Sequence, residues 1–159
     1  MVEFTSVRQI GIVVNDLEET IRTYTEQLGC TEWYRFQILP EDLVKYPQII
    51  RGKEKVVGFK GAKTLIGAVE FEFFESLQGE TIYKEYIDEQ PRNKGVQHIA
   101  FNTDNFQKAA EYLTSKYTPL QIGVTPTGMK VMLFDTYEDF GYSIEISGML
   151  EDLYNGSEK

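Results

Sequence analysis

Cysteine is all but missing from this chain: Cys30 is the only one among 159 residues. No disulfide can form within the chain, so a reducing, cytoplasmic setting is expected. Long apolar runs are missing too. No stretch approaches the roughly 18 uninterrupted apolar residues that a membrane helix needs. The opening residues lack the basic-then-apolar pattern of an export signal. Positive charge is scarce: 16 Lys and Arg stand against 25 Asp and Glu, for a net charge of −9. Nucleic acids and anionic membranes require a basic face, so neither is an expected partner. Low-complexity segments and interdomain linkers are also lacking.

What the chain does have is a pattern stated twice. Apolar residues make up 42%, enough for the core of one compact domain or of two small halves that share one. Gln9-Ile10-Gly11-Ile12-Val13-Val14-Asn15-Asp16-Leu17 reads as a strand turning into a helix, and His98-Ile99-Ala100-Phe101-Asn102-Thr103-Asp104-Asn105-Phe106 repeats it. Leu17, Ile21 and Tyr24 fall in register on Phe106, Ala110 and Leu113. Asn15 with Glu18, and Asp104 with Gln107, read as matching helix caps, and Gly29 as the first helix's stop.

Further strands are expected at 32–36, 120–123, 129–135 and 142–147, the last after a turn at Asp139-Phe140-Gly141. Lys55–Phe59 and Thr64–Phe74 read as a hairpin turning at Lys60-Gly61-Ala62-Lys63. A helix is expected over 80–89, ended by Pro91. Residues 38–52, with Pro40 and Pro47, fit no clean strand and read as an inserted lid. Arg51, Lys53, Lys55, Lys60 and Lys63 gather positive charge in one short stretch. That stretch is either a solvated hairpin or a landing site for an anion. The whole predicts an α+β fold of tandem βαβββ repeats forming a half-barrel around a cavity. One domain is expected over 5–150, with repeat one at about 5–90, repeat two at about 95–148, and a frayed tail at 151–159.

Strand alternation selects the residues that face the cavity. Ile10, Ile12, Ile99 and Phe101 should cover the helices, while Gln9 and His98 point inward. In Val69–Phe74, Glu70, Glu72 and Phe74 point inward. In Tyr142–Ser147, Ser143, Glu145 and Ser147 do so. Gln9, Glu72, His98 and Glu145 thus converge from four strands. Two buried carboxylates are costly without a cation, and an N/O donor set suits a divalent metal such as Co, Ni, Mn, Zn or Mg. Phe74, Ala100, Asn102, Met132 and Lys55 are candidates for contacts with substrate.

Gln9 to Gly29, Gly95-Val96-Gln97-His98-Ile99-Ala100-Phe101 and Gly141-Tyr142-Ser143-Ile144-Glu145-Ile146 resemble the vicinal oxygen chelate superfamily, which includes glyoxalase I, methylmalonyl-CoA epimerase, extradiol dioxygenases and bleomycin-resistance proteins. The resemblance implies one divalent metal ion held at the positions of Gln9, Glu72, His98 and Glu145. Gln9 departs from the family's first histidine. With a single His in the chain, the two-His iron site of an extradiol dioxygenase fails. The spacing between Glu72 and His98 is similar to that of the epimerase. The epimerase's second acid has no counterpart at Lys55, Val57 or Phe59.

The implied activity is a metal-dependent isomerase or lyase moving a proton next to a carbonyl, with Glu145 as base and Glu72 as the second candidate. Alternatives are a lactoylglutathione lyase and a metal-free sequestering protein of the bleomycin-resistance type. The implied partners are a small substrate, an acyl-CoA or other anionic carbonyl compound, and a second copy of the chain in a homodimer.

Overall fold

A computed structural model describes residues 2–89 and 94–149. The first repeat comprises strand β1 (Phe4–Val14), helix α1 (Leu17–Leu28) and strand β2 (Tyr34–Ile38), followed after an insertion by β5 (Gly58–Ile66) and β6 (Val69–Gln78). The insertion holds a 3-10 turn at Pro40–Asp42 and the short strands β3 (Gln48–Ile50) and β4 (Lys53–Glu54). Helix α2 (Ile82–Glu89) leads to the second repeat: β7 (Lys94–Thr103), α3 (Phe106–Thr114), β8 (Pro119–Val124), β9 (Met129–Phe134), α4 (Tyr137–Phe140) and β10 (Ser143–Met149).

All ten strands join one curled mixed sheet in the order β2-β5-β6-β1-β7-β10-β9-β8-β3-β4. The halves mirror each other about the antiparallel β1–β7 seam, where Gln9 faces Ala100 and Gly11 faces His98. Each last strand lies parallel to its own first strand. Glu72 pairs with Gly11 and Glu145 with Ala100, the same register in both halves. The expected α+β half-barrel is the observed one.

Three apolar clusters hold the sheet. Leu17 and Ile21 of α1 pack on Val14, Ala62 and Phe73, and Ala109 and Leu113 of α3 pack on Phe134, Ile144 and Ile146. These two lie on the convex side. The third, with Val13, Phe59, Phe74, Leu133 and the α2 residues Ile82 and Tyr83, fills part of the concave side.

Both cap readings move by one residue. Asp16 accepts from the Glu19 amide and Asn105 from the Lys108 amide, at 2.9 Å each, so the displacement respects the repeat. The expected turn at Lys60–Lys63 is corrected: these residues lie mid-strand in β5, and the chain reverses at Gly67, with φ 62°. Gly61 misled as a turn signal. Its missing side chain makes room for the Phe36 ring, since a Cβ there would lie 2.3 Å from Phe36 Cζ.

The lid reading is corrected as well. β3 crosses to the other half and pairs with β8, Gln48 opposite Gly123, so the insertion extends the wall instead of hovering above it. Pro91 and the tail 151–159 lie outside the described residues.

Candidate active site

The concave face leaves a hollow of about 530 Å³. Two β-bulges decide which side chains enter it. On β1 the register jumps between Val7 and Gln9, so Arg8 has no counterpart on β7. A bulge re-aims a side chain that strict alternation would send the other way, and Arg8 lines the hollow beside Gln9. On β7 the register jumps where Gln97 would pair, and Gln97 and His98 are both buried.

His98 is fully buried and lies across the seam over Gly11. A Cβ on Gly11 would fall 2.0 Å from His98 Nε2, so the glycine is what lets the ring lie there. Gln97 fixes the ring's other side. Its Nε2 donates to the Ile82 carbonyl at 3.1 Å, which turns its Oε1 toward His98 Nδ1 at 3.0 Å. Nδ1 is then the donor, and the second ring nitrogen is directed at Glu145. His98 Nε2 lies 3.1 Å from Glu145 Oε2, without hydrogen-bond alignment. Arg8 Nη2 donates to Glu145 Oε1 at 2.9 Å. Gln9 Nε2 donates to Glu70 Oε1 at 2.7 Å, and Lys63 Nζ pairs with Glu70 Oε2 at 3.2 Å.

The two matched carboxylates differ in charge state. Burial pushes Glu72 up to about 8, the negative charge of Glu145 adds to the rise, and Lys63 offsets only part of it. Burial also works to raise Glu145, but its contacts with His98 and with the Arg8 guanidinium outweigh it and hold Glu145 below the ordinary carboxylate range. Tyr83, stacked on Phe74 with ring centroids 4.5 Å apart, is raised well above the ordinary phenol range by burial and by both acids.

Of the residues singled out in the sequence, Gln9, Glu72, Glu145 and Phe74 line the hollow, and His98 lies beneath it against Glu145. Ala100 is buried opposite Gln9. Three others lie elsewhere. Asn102 is exposed and donates to Ser6 Oγ at 3.0 Å. Met132 packs in the α3 cluster on the convex side, while its neighbours Val131 and Leu133 line the hollow. Lys55 pairs with Glu80 at 3.0 Å.

The basic stretch is largely neutralised: Arg51 pairs with Glu85 and Asp135, Lys60 with Glu75. Arg8, Gln48, Tyr83 and Gln121 are lining residues that the sequence reading did not assign, and Lys63 of the basic stretch lines the hollow with them. Gln121 donates to Gln48 Oε1 at 2.8 Å across the β3–β8 pair.

A sequence model of the Glyoxalase/Bleomycin resistance protein/Dioxygenase superfamily matches residues 8–132. The chain belongs to that superfamily. Solved structures with this fold include methylmalonyl-CoA epimerase from Mycobacterium tuberculosis, at 16% identity and TM-score 0.67 over 96% of this chain and 93% of that one. A variant of the Streptomyces coelicolor methylmalonyl-CoA epimerase, in complex with 2-nitronate-propionyl-CoA, matches at 18% identity and TM-score 0.67, over 93% and 96%. A hypothetical protein from Bacillus halodurans matches at 19% and 0.64, over 89% and 92%. At such identities the likeness is one of fold. No curated protein sequence matches the chain.

The superfamily resemblance implies a divalent cation, and the donors here fit one in kind. Gln9 Oε1 and His98 Nε2 are both buried and have no hydrogen-bond partner among the described residues. An amide oxygen, an imidazole nitrogen and two carboxylates form the N/O set that suits such a cation. The Gln97–His98 contact is the outer support such histidine ligands use. As placed, no three His, Cys, Asp or Glu among the described residues form a ready cluster. Arg8 instead supplies the positive charge at Glu145.

Proposed function

We propose that the protein moves a proton at the carbon next to a carbonyl, with a divalent cation at Gln9, Glu72, His98 and Glu145. The observation that carries this reading is the convergence of the four donors: Gln9, Glu72 and Glu145 line one hollow, and His98 lies beneath it against Glu145. Glu145, held ionised, takes the proton. Glu72 is the second candidate for that base. Gln97 keeps His98 in the tautomer whose Nε2 faces Glu145, and Phe59, Phe74 and Leu133 exclude water from the floor of the hollow. When bound, the cation would polarise the substrate's carbonyl oxygen and so acidify the neighbouring carbon.

The substrate class we favour is an acyl thioester of the methylmalonyl-CoA kind, acted on in the cytoplasm by a homodimer. The experiment is deuterium incorporation into methylmalonyl-CoA in heavy water, with Co, Ni, Mn, Zn or Mg supplied. Exchange above the metal-free rate supports the reading, and no exchange with any of the five overturns it. Lactoylglutathione lyase activity is checked in the same preparations with the hemithioacetal of methylglyoxal and glutathione.

A second reading, ligand sequestration without a metal, is favoured by one contact: Arg8 already compensates Glu145 at 2.9 Å. Metal analysis of untagged protein separates the two. Near-stoichiometric divalent metal supports the enzyme, and metal-free protein that binds ligand supports the sequestering protein.

A further inference from the structure

We infer that Arg8 is the receptor for an anionic group on the ligand, so that the hollow takes molecules with an apolar body and one carboxylate-like end. The inference rests on the reading of this hollow as the substrate site and adds the ligand's charge to it. Arg8 is brought into the hollow by the β1 bulge and is three-quarters buried there, with a side-chain exposure of 26%. A guanidinium carries five donors in a planar fork that matches a carboxylate. Here one donor, Nη2, is well used, on Glu145 at 2.9 Å. Nη1 lies 4.0 Å from Glu70 Oε1, beyond hydrogen-bond reach. Nε is buried and has no acceptor among the described residues.

Nε is closed off, whereas Nη1 is not, so Nη1 is the donor that a ligand can reach, and a charge-assisted hydrogen bond to it is favourable. Lys63 lines the same hollow and is shared with Glu70, so a second cation stands near. Much of the remaining wall is apolar, with Phe36, Phe59, Phe74, Met129, Val131 and Leu133, beside the amides of Gln48 and Gln121. Arg8 and Lys63 share the hollow with the carboxylates of Glu72 and Glu145, so on a protein of net charge −9 it is the unused Arg8 donor, not a net positive field, that receives the anion.

The test needs neither metal nor turnover. 4-Phenylbutyrate and its neutral counterpart 4-phenylbutyramide are titrated into the full chain by calorimetry, with and without added Zn. We expect the carboxylate to bind about tenfold or more tightly than the amide, the margin of a charge-assisted hydrogen bond. Arg8→Gln should remove that margin, Arg8→Lys should keep part of it, and Lys63→Gln should reduce it less than Arg8→Gln does. Equal binding of acid and amide by the wild type, binding of neither, or a margin that survives Arg8→Gln would each overturn the inference. A purely structural Arg8 would weaken both probes alike, and that outcome overturns it too. Because no proton exchange is measured, the inference and the proposed reaction fail separately.

Discussion

Glu72 and Glu145 occupy the same place in the two repeats, yet they hold protons oppositely. Each pairs across a parallel ladder with the matched residue of its repeat's first strand, Gly11 or Ala100. Burial acts on both in the same direction. The difference lies in the neighbours. The second repeat supplies His98, the β1 bulge supplies Arg8, and both serve Glu145, while Glu72 has only the more distant influence of Lys63 and Arg8. A duplicated scaffold thus builds an asymmetric site by placing His98 and Arg8 unequally around equal acids. The first strands diverge likewise: Arg8-Gln9 in one repeat stands where Gln97-His98 stands in the other.

The largest expected effect tests this division directly. Glu145→Gln should lower deuterium exchange by about 10²–10⁴-fold, the range of a lost general base, while Glu72→Gln should lower it less. Equal losses, measured by mass spectrometry of the thioester, would erase the distinction. Next comes Gly11→Ala. The new methyl meets His98 Nε2 at 2.0 Å, and overpacking of this kind typically costs about 1–3 kcal/mol. Thermal unfolding should fall accordingly and metal retention should drop. Ala100, its match in the other repeat, already carries that methyl.

Gln97→Ala should weaken divalent metal binding by about 10–100-fold, as loss of an outer support for a ligand does, with isothermal titration as the readout. A further effect concerns pH. Glu72 in the metal-free fold keeps its proton up to about 8, whereas the unfolded chain releases it near 4.3. The native state therefore binds more protons between these values, and stability falls as pH rises through that window. Glu145, held low, contributes in the opposite sense: its share is present above the unfolded value and is lost as pH falls through its lowered one. Melting temperatures of metal-free protein from pH 5 to 8 should decline less in Glu72→Gln than in wild type.

The duplicated βαβββ pattern and the inward direction of Gln9, Glu72 and Glu145 were legible in the sequence, because a period of two survives wherever a strand is regular. Glu72 and Glu145 lie on such stretches. Arg8 was hidden because alternation assigns it to the face opposite Gln9, and only the bulge brings both to one side. Met132 shows the same sensitivity from the other direction. One residue either way, Val131 and Leu133 face the hollow, since a single step along a strand reverses its side. Gln48 and Gln121 were illegible for a different reason. They meet only because β3 leaves its own repeat and pairs with β8, a contact spanning 73 residues that no local pattern encodes. Tyr83 reads as an ordinary helix core residue until its ring is seen stacked on Phe74 inside the hollow.

That crossing strand also works as a latch. Gln48 is tied to the first repeat by its chain and to the second by its hydrogen bonds, so prising the repeats apart must unzip β3 from β8 as well as the central seam. Exchange of repeats between two molecules would have to break this ladder and remake it, so the crossing strand raises the barrier to exchange without changing which contacts are finally made.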